Sequence, residues 1–198
     1  MPNPFPSTRN RLFAVAALVY TVLIFSTLSV VPKFFNWILH LSGRTGLSII
    51  ISVMLIAVAG LVLFIGRRAL TPLDPGRALG LVAIGAGYGL LIYWADFPTS
   101  RMHALLYGVL ALLVVESLRG ALIFPKLHAT TLALVMAAAL VDEGIQWLLP
   151  NRSGTLLEVL QNWGSAALAI CAVLLLKDSR ESNAAPGNKA KEAPRPAA

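Results

Sequence analysis

The chain is poor in almost everything that faces water. Charged residues fill 13% of its 198 positions against 57% hydrophobic ones, which excludes a single soluble domain with a polar shell around one core. One cysteine, Cys171, excludes an internal disulfide and says nothing of redox compartment. The three histidines and nine acidic residues form no paired metal-ligand spacing, HExxH helix, phosphate loop or nucleophile elbow, so local pattern points to no metal and no cofactor; zinc held by His103, Glu143 and Glu158 is conceivable, but no spacing supports it. Strand-like alternation is missing as well, so a membrane β-barrel is excluded and helices are the expected spanning elements.

What the chain does have is long apolar runs. Six can be marked off: Leu12–Val31, Leu47–Gly66, Ala78–Ala95, Met102–Leu118, Ala129–Leu149 and Leu156–Leu176. Each approaches or reaches the roughly 20 residues that a helix needs to cross the hydrocarbon of a bilayer. The first run is longer than a signal-peptide core, and Phe25-Ser26-Thr27-Leu28 offers no small-residue cleavage site, so it reads as a helix.

The formal charge of +7 is a matter of topology rather than a nucleic-acid footprint. With the N-terminus inside, lysines and arginines divide 12 on the cytoplasmic side against 4 outside, namely Lys33, Arg44, Arg101 and Arg152. The positive-inside rule then gives N-in, C-in and six crossings. The expected fold class is an all-α polytopic bundle in a bacterial cytoplasmic membrane, with membrane lipids as surroundings and no nucleic-acid partner. Residues 12–177 form the membrane domain. The leader 1–11 and the tail 178–198 read as disordered cytoplasmic segments.

Several features fit this frame. Phe34, Phe35, Trp37, Ile38 and Leu41, in the stretch from Lys33, suit a short interfacial helix or aromatic anchor. Trp37, Trp94 and Trp147 fall near outer ends of segments, and Trp163 in the outer half of the last. Gly85 and Gly89 make a small-xxx-small face for close helix contact, within the chain or with a partner helix, which leaves the oligomeric state open. No repeat of helix pairs supports an inverted-repeat transporter. Glu116 and Arg119 read as a surface pair, and His40 and His128 as interfacial loop residues.

The polar exception is the hairpin between the last two runs, DEGIQWLLPNRSGTLLEVLQNWG from Asp142 to Gly164. Asp142 and Glu143 lie roughly 9 to 11 Å below the outer helix end, where an unmatched carboxylate costs up to about 3 kcal/mol. Gln146 is within one helical turn of both. On the returning helix Glu158, Gln161, Asn162 and Ser165 repeat the spacing, with Arg152 in the turn. His103 and Tyr107 bring a further pair from the fourth helix. The topology therefore places His103, Tyr107, Asp142, Glu143, Gln146, Arg152, Glu158 and Asn162 at one outer pocket. Tyr107 is expected to pack its ring and hydrogen-bond its hydroxyl, and Gln161 and Ser165 to join helices.

Glu143-x-x-Gln146, then Arg152, Glu158 and Asn162, resembles the C-terminal signature of the VanZ-like family of small bacterial membrane proteins. His103-x-x-x-Tyr107-Gly108 resembles its earlier histidine motif, so the similarity covers about residues 96–175. Two positions depart from the family pattern: Thr99-Ser100 stands where Asp-Lys is usual, and Glu158 replaces Asp. Asp96 and Arg101 are the residues that would stand in for the missing pair. The resemblance implies a link to resistance against teicoplanin-type lipoglycopeptides, without a settled biochemical activity.

Four functions stay open on these residues: a structural ion-pair and amide network, a recognition site for a lipid-linked envelope molecule or lipoglycopeptide, an acid–base enzyme acting on a lipid headgroup, and proton-coupled transport. Apolar inner helix halves speak against the last. In recognition Arg152 would offer a planar fork to phosphate or carboxylate. The orientation is testable in a Cys171→Ala background. A cysteine at Pro150 is expected to react with a membrane-impermeant maleimide in intact cells, and one at Gly120 after permeabilisation alone; the opposite pattern reverses the topology.

Overall fold

A helix in hydrocarbon satisfies its own backbone, so the apolar runs become helices and the polar breaks between them become turns. The computed structural model describes residues 7–66, 74–95, 97–150 and 154–183, and six of its helices are long and apolar enough to cross a membrane. No strand occurs among the described residues. The helices are α1 (Thr8–Thr27), α2 (Val31–Gly66), α3 (Pro75–Tyr93), α4 (Arg101–Leu118, entered through a 3-10 turn at Pro98–Ser100), α5 (Lys126–Leu148) and α6 (Leu156–Asn183).

The helix ends have local causes. The Ser7 side chain accepts the Asn10 amide at 3.2 Å, and this cap starts α1 at Thr8, inside the stretch expected to be an unstructured leader. α6 likewise continues to Asn183, into the expected tail. Residues 1–6 and 184–198 of those two segments lie outside the described residues. Asp74 caps α3 by accepting the Arg77 amide at 3.0 Å, followed by Pro75 at the first helical position.

α2 is broken at Gly43, whose φ of 69° lies in the left-handed region open to glycine. The break makes 31–42 a separate short helix, as the aromatic stretch there predicts. Phe35 packs with Leu47 and Ile51 beyond the break, while Phe34 and Trp37 stack outward at 6.0 Å between ring centroids. One face is anchored and the other is available to lipid.

α4 is the axis of the bundle. Tyr107, Leu110, Ala111 and Val114 form a core with Ala17 of α1, Val135 and Ala139 of α5, and Ala166 and Ala169 of α6. The many alanines permit close helix approach, which drives packing where lipid removes the hydrophobic incentive. α3 sits outside, with no buried residue, against α6. Its contact uses Gly80 and Gly87, where added Cβ atoms would lie 2.8 Å from Leu175 and 3.0 Å from Leu168. Gly85 and Gly89, expected to make a close helix contact within the chain or with a partner helix, meet nothing among the described residues, so the contact inside the chain is not theirs.

At the end opposite the hairpin, Glu116 accepts Arg119 and Arg9, each at 2.8 Å, and the Asn10 amide reaches the Arg119 carbonyl. The Glu116–Arg119 pair is as the spacing predicts, and Arg9 extends it across helices. The group is half-buried at Glu116 and Arg119 and open to water at Arg9, and each pair contributes at most about 1 kcal/mol. His128 is not a loop residue: it lies in the first turn of α5, buried, its ring 5.8 Å from that of Phe124. Trp37, Trp94 and Trp147 are exposed, and the Trp163 indole donates to the Met136 carbonyl at 3.3 Å.

Gly154 sits where the segment entering α6 presses on α5, and a Cβ there would collide with the Glu143 carbonyl oxygen. Gly154→Ala should therefore cost about 1–3 kcal/mol by overpacking, whereas Gly85→Ala should be neutral or gain up to about 1 kcal/mol of helix propensity. Thermal unfolding of the purified variants in detergent measures the contrast; equal melting points would remove the close approach.

Candidate functional site

Three helices supply the buried and half-buried polar side chains of the hairpin end, each through its own spacing. α5 presents Asp142, Glu143 and Gln146, α4 presents His103 and Tyr107, and α6 presents Glu158, Gln161, Asn162 and Ser165. Asp142 is 1% exposed, and Gln146, Asn162 and Ser165 are fully buried. Seven of the eight pocket residues expected from the sequence belong to this group. The eighth, Arg152, lies outside the described residues, as does Asp96.

Asp142 is closed off. The Tyr107 hydroxyl donates to its Oδ2 at 2.7 Å, and the Gln146 amide donates to Oδ1 at 3.1 Å. A buried carboxylate needs such donors, since no water replaces them. Tyr107 thus packs its ring and spends its hydroxyl on a neighbour, as expected, and its ring lies parallel to that of His103 at 6.4 Å.

Glu143 is held by partners from two helices. Oε1 accepts Gln146 at a long 3.4 Å, and Oε2 accepts the Thr155 backbone N–H at 3.2 Å. Thr155 in turn caps α6, its hydroxyl accepting the Glu158 N–H at 3.2 Å. In the reciprocal capping box, a glutamate three residues after the cap reaches back to the cap's own N–H. Here Glu143 takes that N–H, which releases the Glu158 carboxylate. Glu158 Oε1 instead accepts the Ser100 hydroxyl at 2.5 Å, linking α6 to the turn before α4. Ser100 and Thr155 were not among the expected site residues. Thr155-x-x-Glu158 carries a legible capping pattern; nothing local marks Ser100.

His103 Nδ1 stands 3.8 Å from Glu143 Oε1 and makes no hydrogen bond among the described residues. A ring nitrogen of His103 and one carboxylate oxygen each of Glu143 and Glu158 lie within 4.8 Å of one another. Both amide atoms of Asn162, and Gln161 Oε1, also lack a hydrogen-bond partner among the described residues. The remaining polar groups join helices, as expected: Gln161 Nε2 donates to the Leu91 carbonyl at 3.2 Å, the Ser165 hydroxyl to the Ala104 carbonyl, and the Tyr88 hydroxyl to the Ser165 carbonyl at 2.9 Å. Arg101 turns away from the acids to Ser48 of α2, at 2.7 Å.

One space touches the cluster, and a second, lined by none of its residues, adjoins the first. A narrow cleft of about 70 Å³ reaches Asp142 and His103 between Thr99 and the α1–α2 junction, lined there by Leu28, Pro32 and Phe35. Beside it an open hollow of about 530 Å³ is lined by Leu28, Ser29, Pro32, Lys33, Asn36, Leu149 and Pro150. Leu28 and Pro32 line both. The larger space falls in the size range of small-molecule sites, and Lys33 gives its wall a positive charge beside an acidic interior.

No family model, curated protein or solved structure matches the chain. Geometry alone therefore ranks the residues. Tyr107 and Asp142 form the most complete pair, and removing its hydroxyl should leave Asp142 Oδ2 unmatched. Tyr107→Phe is expected to lower stability by about 1–3 kcal/mol. Combined with Asp142→Asn, the loss should be smaller than the sum of the single losses by 0.5 kcal/mol or more, in the range of roughly 0.5–3 kcal/mol for coupled neighbours. Unfolding of the four proteins in detergent supplies the cycle; additive losses would show the two side chains to be independent.

Proposed function

We propose that the chain is a VanZ-like protein of a bacterial cytoplasmic membrane that binds the polar part of a lipid-linked envelope molecule or of a lipoglycopeptide, with the hairpin end facing outward. The observation that carries this reading is the meeting of polar side chains from α4, α5 and α6, with a narrow cleft at His103 and Asp142 that shares Leu28 and Pro32 with an open, largely apolar hollow. A lipid-linked ligand needs both: apolar wall for its chain and fixed hydrogen-bonding groups for its head.

The cluster divides by how fully its members are satisfied. Asp142, Tyr107 and Gln146 use one another and act as scaffold. His103 Nδ1 and the Asn162 amide have no hydrogen-bond partner among the described residues, and Glu158 is half-buried. These are the groups with capacity left for a ligand, and a buried polar group without a partner costs about 1–3 kcal/mol that a bound head would return. Glu143, Gln146, Glu158 and Asn162, four of the five positions of the resemblance signature, lie in this one cluster. A purely structural network is the competing reading, favoured by the closed Asp142 centre.

Glu143→Gln and Arg152→Ala separate the two. In a susceptible bacterium expressing each variant, membrane abundance and teicoplanin susceptibility are measured together. Recognition predicts normal abundance with lost protection, and headgroup affinity weaker by roughly tenfold for one lost charged contact. A parallel fall in abundance supports the structural network, and undiminished protection in both variants overturns the site.

A further inference from the structure

We infer that His103, Glu143 and Glu158 form a binding site for one divalent first-row metal ion, for which Zn²⁺ is the probe. Their ligand atoms already lie within 4.8 Å of one another, though they come from three helices. Metal–ligand bonds of 2.0–2.2 Å place neighbouring ligand atoms about 3.4 Å apart in a tetrahedral site. The closure required is therefore about 1.4 Å, within reach of side-chain torsions without moving a helix.

The independent observation is His103 itself. It is 6% exposed, yet its Nδ1 has no hydrogen bond among the described residues and faces Glu143 Oε1 from 3.8 Å. That spacing is too long for a hydrogen bond. A cation between the two would give that nitrogen the partner it lacks. It would also offset two carboxylates that repel each other where the surroundings are poorly polarisable.

The supporting shell is present. The Ser100 hydroxyl fixes Glu158, while Gln146 and the Thr155 N–H fix Glu143; such partners orient metal ligands and tune affinity. One imidazole and two carboxylates suit Zn²⁺, Mn²⁺ or Fe²⁺. Three protein ligands leave a coordination position open. The site stands independently of the proposed recognition, and one consequence alone rests on that reading: the open position would take a phosphate or carboxylate oxygen of the bound head.

The test uses tag-free full-length protein in detergent, stripped with chelator and equilibrated with Zn²⁺. The wild type is expected to hold about one zinc ion per chain and to melt higher with metal than without. His103→Ala and Glu158→Gln should each weaken binding by more than the roughly 10–100-fold that outer-shell partners are worth, while Glu116→Gln at the other end leaves it unchanged. If a ligand variant fails to stay monodisperse, the wild type decides through its zinc-dependent melting point and the absorption of the cobalt-substituted form. Wild type with no zinc above the variants, or a melting point indifferent to metal, overturns the site. Zinc binding by the wild type with undiminished protection in both Glu143→Gln and Arg152→Ala removes the recognition reading and leaves the metal site standing; headgroup binding without zinc does the reverse.

Discussion

Two adjacent carboxylates on one membrane helix must find donors inside the protein, and that requirement organises the hairpin end. Asp142 and Glu143 point to different neighbours because consecutive residues on a helix are turned about 100° apart. Asp142 takes the hydroxyl of α4, and Glu143 takes a backbone N–H at the start of α6. One dipeptide therefore ties α5 to both of its partners. The tie demands that α4 be central and that the segment entering α6 approach α5 closely, which Gly154 allows. Burial is thus a cause of the geometry here, since the same pair at a water-facing helix end would need no partner.

The apolar runs made six helices legible, and most of the observed ends fall within a few residues of the expected ones, because length and hydropathy are local properties. The hairpin's polar stripes were legible for the same reason: positions three and four apart share a helix face in any context. What spacing could not reveal is which neighbour covers a face. Gly85 and Gly89 have the favoured spacing, yet Gly80 and Gly87, seven apart, meet α6, because the rotation of α3 is set by its packing. His128 reads as a loop residue until α5 is seen to begin before it. Arg9 joins Glu116 across 107 positions, a pairing that no window along the chain contains.

The metal-ligand triad could be named from the sequence, but no spacing supported it, for a related reason. Metal motifs are recognisable when two ligands share one helix or one loop, so that a fixed spacing recurs. Here each ligand comes from a different helix, and the reciprocal cap that Thr155-x-x-Glu158 suggests would have turned Glu158 away from the other two. The cap is replaced, because Glu143 takes the Thr155 N–H. A substitution of one hydrogen bond at a helix end therefore decides whether the third ligand is available. That link is electrostatic as well: Glu158 lies in the first turn of α6, where the helix dipole favours an acid.

Ligand charge follows from the same arrangement. The described cluster at the hairpin end contains three carboxylates and one imidazole, with Arg101 directed to Ser48 and Lys33 lining the neighbouring hollow. Alone, such a cluster draws an amine inward and repels a phosphate or carboxylate. A divalent ion held by His103, Glu143 and Glu158 inverts that preference, since the ion becomes the largest local charge. Metal and amine would then compete for the same oxygens, whereas metal and an anionic head would favour each other, and linkage makes each effect reciprocal. The sign of the coupling between ion and ligand is therefore fixed by the ligand's own charge. An anionic envelope lipid can belong in this acidic cluster only together with a positive charge that its described residues do not supply.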